Sequence, residues 1–466
     1  GPNLGVVEAT VALHYVFDSP TDRLVFDVSH QTYIHKMLTG RMDAFLNPDH
    51  YNDVTGYTCP RESEYDLFEV GHTSTSIALA TGLAKSRDLE GGHENVVAFI
   101  GDASLGGGEA LEGLDFAPTL GSNFIVILND NQMSIAENHG ALYDHLAKLR
   151  ESNGTASDNI FRALGYQYIY VREGNDLHSL IEAFKAARNA DHAVLVHINT
   201  MKGAGLPVAE ADKESFHYAG PFDLKTGAPR QDDTAEDYTD IFARHLLIRM
   251  HDGSRIVGLT AGTPGAIGFD PERRKAAGRQ FVDVGICEQA AVAMAAGLAK
   301  GGCRPVFGVM ATFIQRSYDQ LSQDVAINRL PAVFVDFAGG VWGIPDMTHL
   351  GFFDIPMISN IPEIVFLAPT CAEEYLSMLD WAIEQTDHPV LVRTPGGPVV
   401  HSDRPVDVDF FCYDVVSEGE EIGIIGAGDF FGIASEAASL LRSEGKNPVL
   451  INPRNLSHLD TECLDS

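Results

Sequence analysis

Short, wholly apolar runs recur along the chain, each bounded by Gly, Asn, Asp or Pro. In the first half they are RLVFDV from Arg23, VVAFIG from Val96, FIVILND from Phe124 and AVLVHINT from Ala193. Runs of this length and composition read as strands buried on both faces of a parallel sheet. Helical periodicity appears between them, in VVEATVALHYVF from Val6 and in EALEGLDFA from Glu109. A polar, acidic stretch from Lys225 to Asp240, KTGAPRQDDTAEDYTD, then reads as a linker. Beyond it the alternation resumes with RIVGLTAG, QFVDVGI, RPVFGVM, PAVFVDFAG, EIVFLAP and PVLVRTP, the last ending at Pro395. A third set starts at EEIGIIGAG and continues through the helix ASEAASLLRSEG and the strand PVLINP. Repeated strand–helix units of this kind predict consecutive α/β domains with mostly parallel sheets, over residues 1–228, 238–400 and 415–466, the last of them an incomplete domain.

Two of the apolar runs end in oxygen ligands, Asp102 after VVAFIG and Asn131 after FIVILND. Ligands of parallel sheets gather at the carboxyl ends of the strands, so both side chains face one crevice. A hard cation such as Mg2+ takes a few oxygen ligands and completes its shell with phosphate and water. One carboxylate, one amide oxygen and the backbone carbonyl of Met133 leave room for a diphosphate. The glycines at 106–108 would let the backbone approach it, and the helix that follows would offer amide groups. An ordinary α/β core with a strand-end Asp and Asn accounts for the same residues.

The chain has 466 residues, a formal net charge of −33, 45% hydrophobic and 21% charged residues. That describes a soluble globular protein able to bury a large core, and the negative charge disfavours nucleic acid and anionic membrane as partners. No run of about 18 apolar residues suits a bilayer span, and the first residues lack a secretory profile. Six scattered cysteines without a CxxC pair point to reduced thiols and a cytoplasmic setting rather than to a disulfide frame or a zinc site.

Gly101-Asp102-Ala103 followed by Asn131 resembles the diphosphate-binding motif of thiamine-diphosphate enzymes, with Ala103 where a glycine is usual. The wording ILNDNQMSIAENHGAL, Ile127 to Leu142, resembles the 1-deoxy-D-xylulose-5-phosphate synthase family, relatives of transketolase. The resemblance covers nearly the whole chain and implies a diphosphate- and Mg2+-binding domain, a pyrimidine-binding domain and the start of a transketolase C-terminal-like domain, with further residues at both ends. It implies thiamine diphosphate and Mg2+ as cofactors, with Asp102, Asn131 and Met133 on the metal. His72, Ala103, Ser104, Asn131, Lys202, Glu288 and Phe313 would meet the cofactor. Glu288, in VGICEQAAVAMAAGLA, matches the glutamate that bonds the aminopyrimidine and selects the tautomer that activates the thiazolium. Phe313, in ATFIQRSYDQ, matches the residue that packs on the pyrimidine. His30, His72, His217 and His349 match histidines that line the acceptor side and move protons, which imidazole does near neutral pH. Pyruvate and an aldehyde would be the substrates and a homodimer the active form.

Departures from the family cluster on the phosphate side of the acceptor. Where the synthases have DRAG, whose arginine contacts substrate phosphate, the chain has Asp336-Phe337-Ala338-Gly339. Gly396 replaces a second phosphate arginine, and Met310 a tyrosine. A rewritten segment, Trp342 to His349, leaves Asp346 as the stand-in for the family's aspartate. Arg316, Arg393 and Arg61 are the remaining candidates for substrate binding. Losing two bidentate, charge-assisted contacts weakens a phosphorylated acceptor by orders of magnitude, so an altered acceptor is expected. Transketolase-like ketol transfer and a catalytically decayed cofactor-binding paralogue are the alternatives.

Overall fold

The structure, a computed structural model, describes residues 1–230, 235–253, 255–341 and 346–465. It divides into two compact units, Gly1–Asp233 and Thr234–Ser466.

The first unit is built on five parallel strands: β1 (Arg23–Phe26), β2 (Val96–Gly101), β3 (Phe124–Asp130), β4 (Gln167–Val171) and β5 (Ala193–Asn199), in the order β1-β2-β3-β5-β4. Every residue of β3 is buried, as the unbroken apolar run requires. Successive side chains point to opposite faces. Val97, Phe99, Ile125 and Ile127 therefore pack with the helices α1 (Val7–Val16) and, further on, Leu177–Arg188. Ala98, Ile100, Val126 and Leu128 pack with α2 (Ser76–Glu90) and α3 (Gly108–Phe116). The strand expected over RLVFDV stops at Phe26, because Val28 and Ser29 both turn to positive φ (58° and 63°). A β-branched residue is rarely found there, so this turn is strained. β4 carries no continuous apolar run and was not anticipated.

The second unit holds β6 (Ile256–Thr260), β7 (Phe281–Asp283), β8 (Arg304–Met310), β9 (Val333–Gly339), β10 (Val365–Leu367) and β11 (Val390–Pro395) in the order β10-β11-β9-β8-β6-β7, all parallel. Its first helix, Tyr238–His251, starts inside the stretch read as linker, because the Asp237 side chain accepts the amides of Thr239 and Asp240 and caps it. Residues 231–234 of that stretch lie outside the described residues. The third set of elements forms a small sheet, β12 (Asp414–Ser417), β13 (Ile422–Ile425) and β14 (Pro448–Asn452), with β14 central, β12 antiparallel to it and β13 parallel. The helix Phe431–Ser443 packs Ala434 and Ala438 on Leu450. Among the described residues no helix is long and apolar enough to cross a membrane.

Candidate active site

At the carboxyl end of β2, Asp102 opens a short helix to Leu105 and is 2% exposed. Burial, then the nearby Asp130 charge, push its carboxyl up to about 8. Asn138 Nδ2 donates to its Oδ2 at 2.7 Å. At the end of neighbouring β3, Asn131 Oδ1 accepts the amide of Met133 at 3.1 Å, and Gln132 between them sits at φ 69°. The Ser104 carbonyl accepts the Ser74 hydroxyl at 2.8 Å, which ties the His72 loop to the turn carrying Asp102 and Ala103. Asp27, buried beneath, accepts the amides of Ser74 and Ser76 at 2.8 and 3.0 Å. Lys202 Nζ donates to the Ser134 carbonyl at 2.6 Å, and burial lowers its ammonium to about 8. His217 stacks on His30 (centroids 5.4 Å apart, 26°), and burial holds it well below the usual imidazole range. Its Nδ1 has no hydrogen-bond partner. Asp102, Ala103, Ser104, Asn131, Met133 and Lys202 thus stand at or just after the carboxyl ends of β2, β3 and β5.

Gly106 and Gly107 have φ of −69° and −70°, which any residue adopts. A Cβ at Gly106 would stand 2.6 Å from the Tyr143 hydroxyl, so that glycine makes room for a side chain of the same unit, whereas Gly108 faces open space.

In the second unit Glu288 is the first residue of the helix Glu288–Lys300 and is 3% exposed. Burial raises its carboxyl, Arg316 Nη1 lies 3.6 Å from Oε2, and Oε2 has no hydrogen-bond partner. Phe313 meets the edge of His349 at 5.6 Å and 80°. His349 Nδ1 pairs with Thr348 Oγ1 at 2.8 Å, and Thr348 donates from its hydroxyl and amide to Asp346 Oδ1 at 2.5 and 2.9 Å. Phe313, His349 and Asp346 therefore form one cluster. Of the rewritten segment, 342–345 lie outside the described residues.

Three readings need correction. Arg393 is buried and committed: Nε donates to Asp354 at 2.5 Å and an Nη to the Gly351 carbonyl at 2.8 Å. Beside it across the β9–β11 pairing, buried Asp336 is pushed far above the carboxylate range by burial and then by the neighbouring Asp354 charge. Arg61 stands on the surface with both Glu69 oxygens at 2.9 Å. Phe337, which stands where the family has a phosphate arginine, is 2% exposed and packs against Phe242 in the core, so it does not face a substrate. Sequence reading also passed over Asp27, Asn138, Asp130 and Asp429. Asp429 accepts the amides of Gly396 and Gly397 at 3.1 and 3.2 Å, so a carboxylate stands where an arginine was missing.

The donor sets suit the implied cofactors. Among the described residues no group of three or more His, Cys, Asp or Glu could hold a metal, which excludes an all-protein cage but not a Mg2+ ion sharing a diphosphate and water. A buried carboxyl at Asp102 pushed towards neutrality is one that a cation would restore to its charged form. The unpartnered Glu288 oxygen in apolar surroundings calls for a donor.

The pyrimidine-binding domain model of transketolase matches residues 235–398, and the 1-deoxy-D-xylulose-5-phosphate synthase model matches residues 1–157. The fold and these matches define a thiamine-diphosphate-dependent, transketolase-like protein. The synthase of Desulforudis audaxviator is 38% identical over 99% of this chain and 79% of its own length. That of Heliobacterium modesticaldum is 38% identical over 99% and 77%. The chain belongs to the 1-deoxy-D-xylulose-5-phosphate synthase family. A transketolase complex from Pichia stipitis covers 99% of this chain and 84% of its own at 15% identity and a TM-score of 0.45, a likeness too loose to carry an argument.

Proposed function

We propose that the protein decarboxylates pyruvate and transfers the two-carbon unit to an aldehyde, with thiamine diphosphate and Mg2+, as a cytoplasmic homodimer. The observation that carries this is the buried, unpartnered carboxylate oxygen of Glu288 at a helix start, in a family whose chemistry needs an acid there. When bound, thiamine diphosphate supplies a nucleophilic carbon and an electron sink for decarboxylation. Asp102, Asn131 and the Met133 carbonyl would hold Mg2+, and Ala103, Ser104, His72 and Lys202 would line the diphosphate. Glu288, its carboxyl raised by burial, would share its proton with the aminopyrimidine ring nitrogen, with Arg316 beside it. Phe313, packed against His349, would lie on the ring. His30, His72, His217 and His349 orient the substrates and exchange protons with the carbonyl and hydroxyl oxygens. His217 suits this because it is kept neutral, an acceptor at Nδ1.

The acceptor is an aldehyde without a phosphate. Phe337 is built into the core, Arg393 is held by Asp354, and Asp429 adds a carboxylate beside Gly396. Calorimetry of Asp102→Ala with Mg2+ and thiamine diphosphate tests the reading. Binding is expected to vanish, and wild-type affinity in that variant would remove the assignment.

A further inference from the structure

Two buried carboxylates end adjacent strands of the first unit, Asp102 after β2 and Asp130 closing β3, where Gly101 pairs with Asn129. Their surroundings differ sharply. Asp102 has an amide donor from Asn138 and no cationic partner at hydrogen-bond distance. Asp130 is 0% exposed and heavily engaged. Its Oδ2 accepts from His197 Nε2 at 2.8 Å and from Arg150, and its Oδ1 accepts the Gln132 amide at 3.1 Å. His197 is 0% exposed on β5, and its Nδ1 lies 2.7 Å from the hydroxyl of Tyr168 on β4.

A carboxylate only accepts, so His197 Nε2 carries a hydrogen and donates to Asp130, while Nδ1 pairs with the Tyr168 hydroxyl. A hydrogen-bonded chain of Tyr168, His197 and Asp130 thus runs across β4, β5 and β3 and ends on the amide of Gln132. Gln132 stands at φ 69°, a conformation that costs a non-glycine residue about 1 kcal/mol or more unless its surroundings hold it. It lies between Asn131 and Met133, whose amide closes onto Asn131 Oδ1.

We infer that Asp130, braced by His197 and Arg150, is a positioning residue for the divalent cation: it clamps Gln132 so that Asn131 and the Met133 carbonyl are presented together, and it adds a second fixed negative charge behind Asp102. The inference rests on the cofactor reading above. Residues that support metal ligands from behind typically contribute about 10- to 100-fold in metal affinity.

The test uses the whole protein stripped of divalent ions, titrated with Mg2+ in saturating thiamine diphosphate by calorimetry and with Mn2+ by paramagnetic resonance. Asp130→Asn is expected to weaken both ions about 10- to 100-fold while kcat at saturating Mg2+ changes by less than about threefold. Tyr168→Phe, which removes only the far end of the chain, is expected to lower Tm and leave ion affinity within about twofold. Should Asp130→Asn fail to fold, His197→Phe carries the same expectation, since a phenyl ring fills the site but cannot donate to Asp130. Ion affinity within about twofold of wild type in the folded Asp130 or His197 variant overturns the inference. Absence of any Mg2+ binding by the wild type with thiamine diphosphate would instead sink the cofactor reading.

Discussion

Arg316 Nη1 stands 3.6 Å from Glu288 Oε2, close enough to favour the carboxylate and too far to occupy the oxygen with a hydrogen bond. A ligand atom therefore meets a buried carboxyl oxygen whose hydrogen-bonding capacity is unused. Glu288→Ala is expected to keep the fold and cofactor binding but to slow deuterium exchange at the thiazolium C2, followed by NMR, by about 10²-fold or more. Exchange at the wild-type rate would mean that another group activates the cofactor.

Phe337 occupies the position of a family arginine, yet its ring is packed on Phe242 at 5.2 Å. Restoring the arginine by Phe337→Arg is expected to bury a charge without a built partner and lower urea stability of the second unit by about 3 kcal/mol or more. A variant as stable as wild type would show that the guanidinium reaches a carboxylate or solvent.

With pyruvate, D-glyceraldehyde and its 3-phosphate are expected to differ in kcat/KM by less than about a hundredfold, worth ~2.7 kcal/mol of transition-state binding. A larger preference for the phosphate would contradict the unphosphorylated acceptor.

His14, on α1, meets His35 Nδ1 through its Nε2 at 2.9 Å, and His35 in turn meets Asp66. Burial, then the neighbouring imidazole, lower His14 to about 4. An unfolded histidine titrates near 6.5, so between these values the unfolded chain binds the extra proton. The contribution of neutral His14 is fully present above about 6.5 and is lost as pH falls towards 4. Melting of His14→Gln should show a flatter fall in Tm over that window, and a slope equal to wild type would assign the loss to other groups.

The helix Glu288–Lys300 packs Ala291, Ala295 and Ala296 into the core and turns Ala290, Ala293 and Gly297 outward beside Met294, which is 41% exposed, with nothing within 4 Å of where a Cβ would lie on Gly297. A small-residue face of this kind admits close approach by a second helix. Light scattering is expected to give a dimer at micromolar concentration, and a stable, active monomer would refute it.

The strands that sequence reading located are those with unbroken apolar runs, such as β2 and β3. It missed β4, where Gln167 is exposed and Ile169 and Tyr170 are half-buried, and β12, which is half-buried throughout. Asp102 and Asn131 were legible because each follows such a run. Asp130 was not distinguished from them, since its partner His197 lies within another apolar run and only the β3–β5 pairing brings the two together. The same limit misplaced Phe337. A strand buried on both faces gives no sign of which face a given residue takes, so its absence from the crevice emerges only once Phe242 is beside it. Arg393 was legible as a cation but not as one already held, because Asp354 lies on a separate helix.

The pairing of β1 with β2 also sets how the first unit can assemble. β1 ends at Phe26 and its neighbour begins only at Val96, and β3 finds β5 only after β4 has been made and set aside to the edge. No hairpin can start this sheet, so its central strands must wait, apolar and unpaired, until distant segments arrive. Refolding should accordingly be slow and concentration-sensitive, and β3, the central strand and buried throughout, is the segment that most needs shielding while the chain emerges from the ribosome.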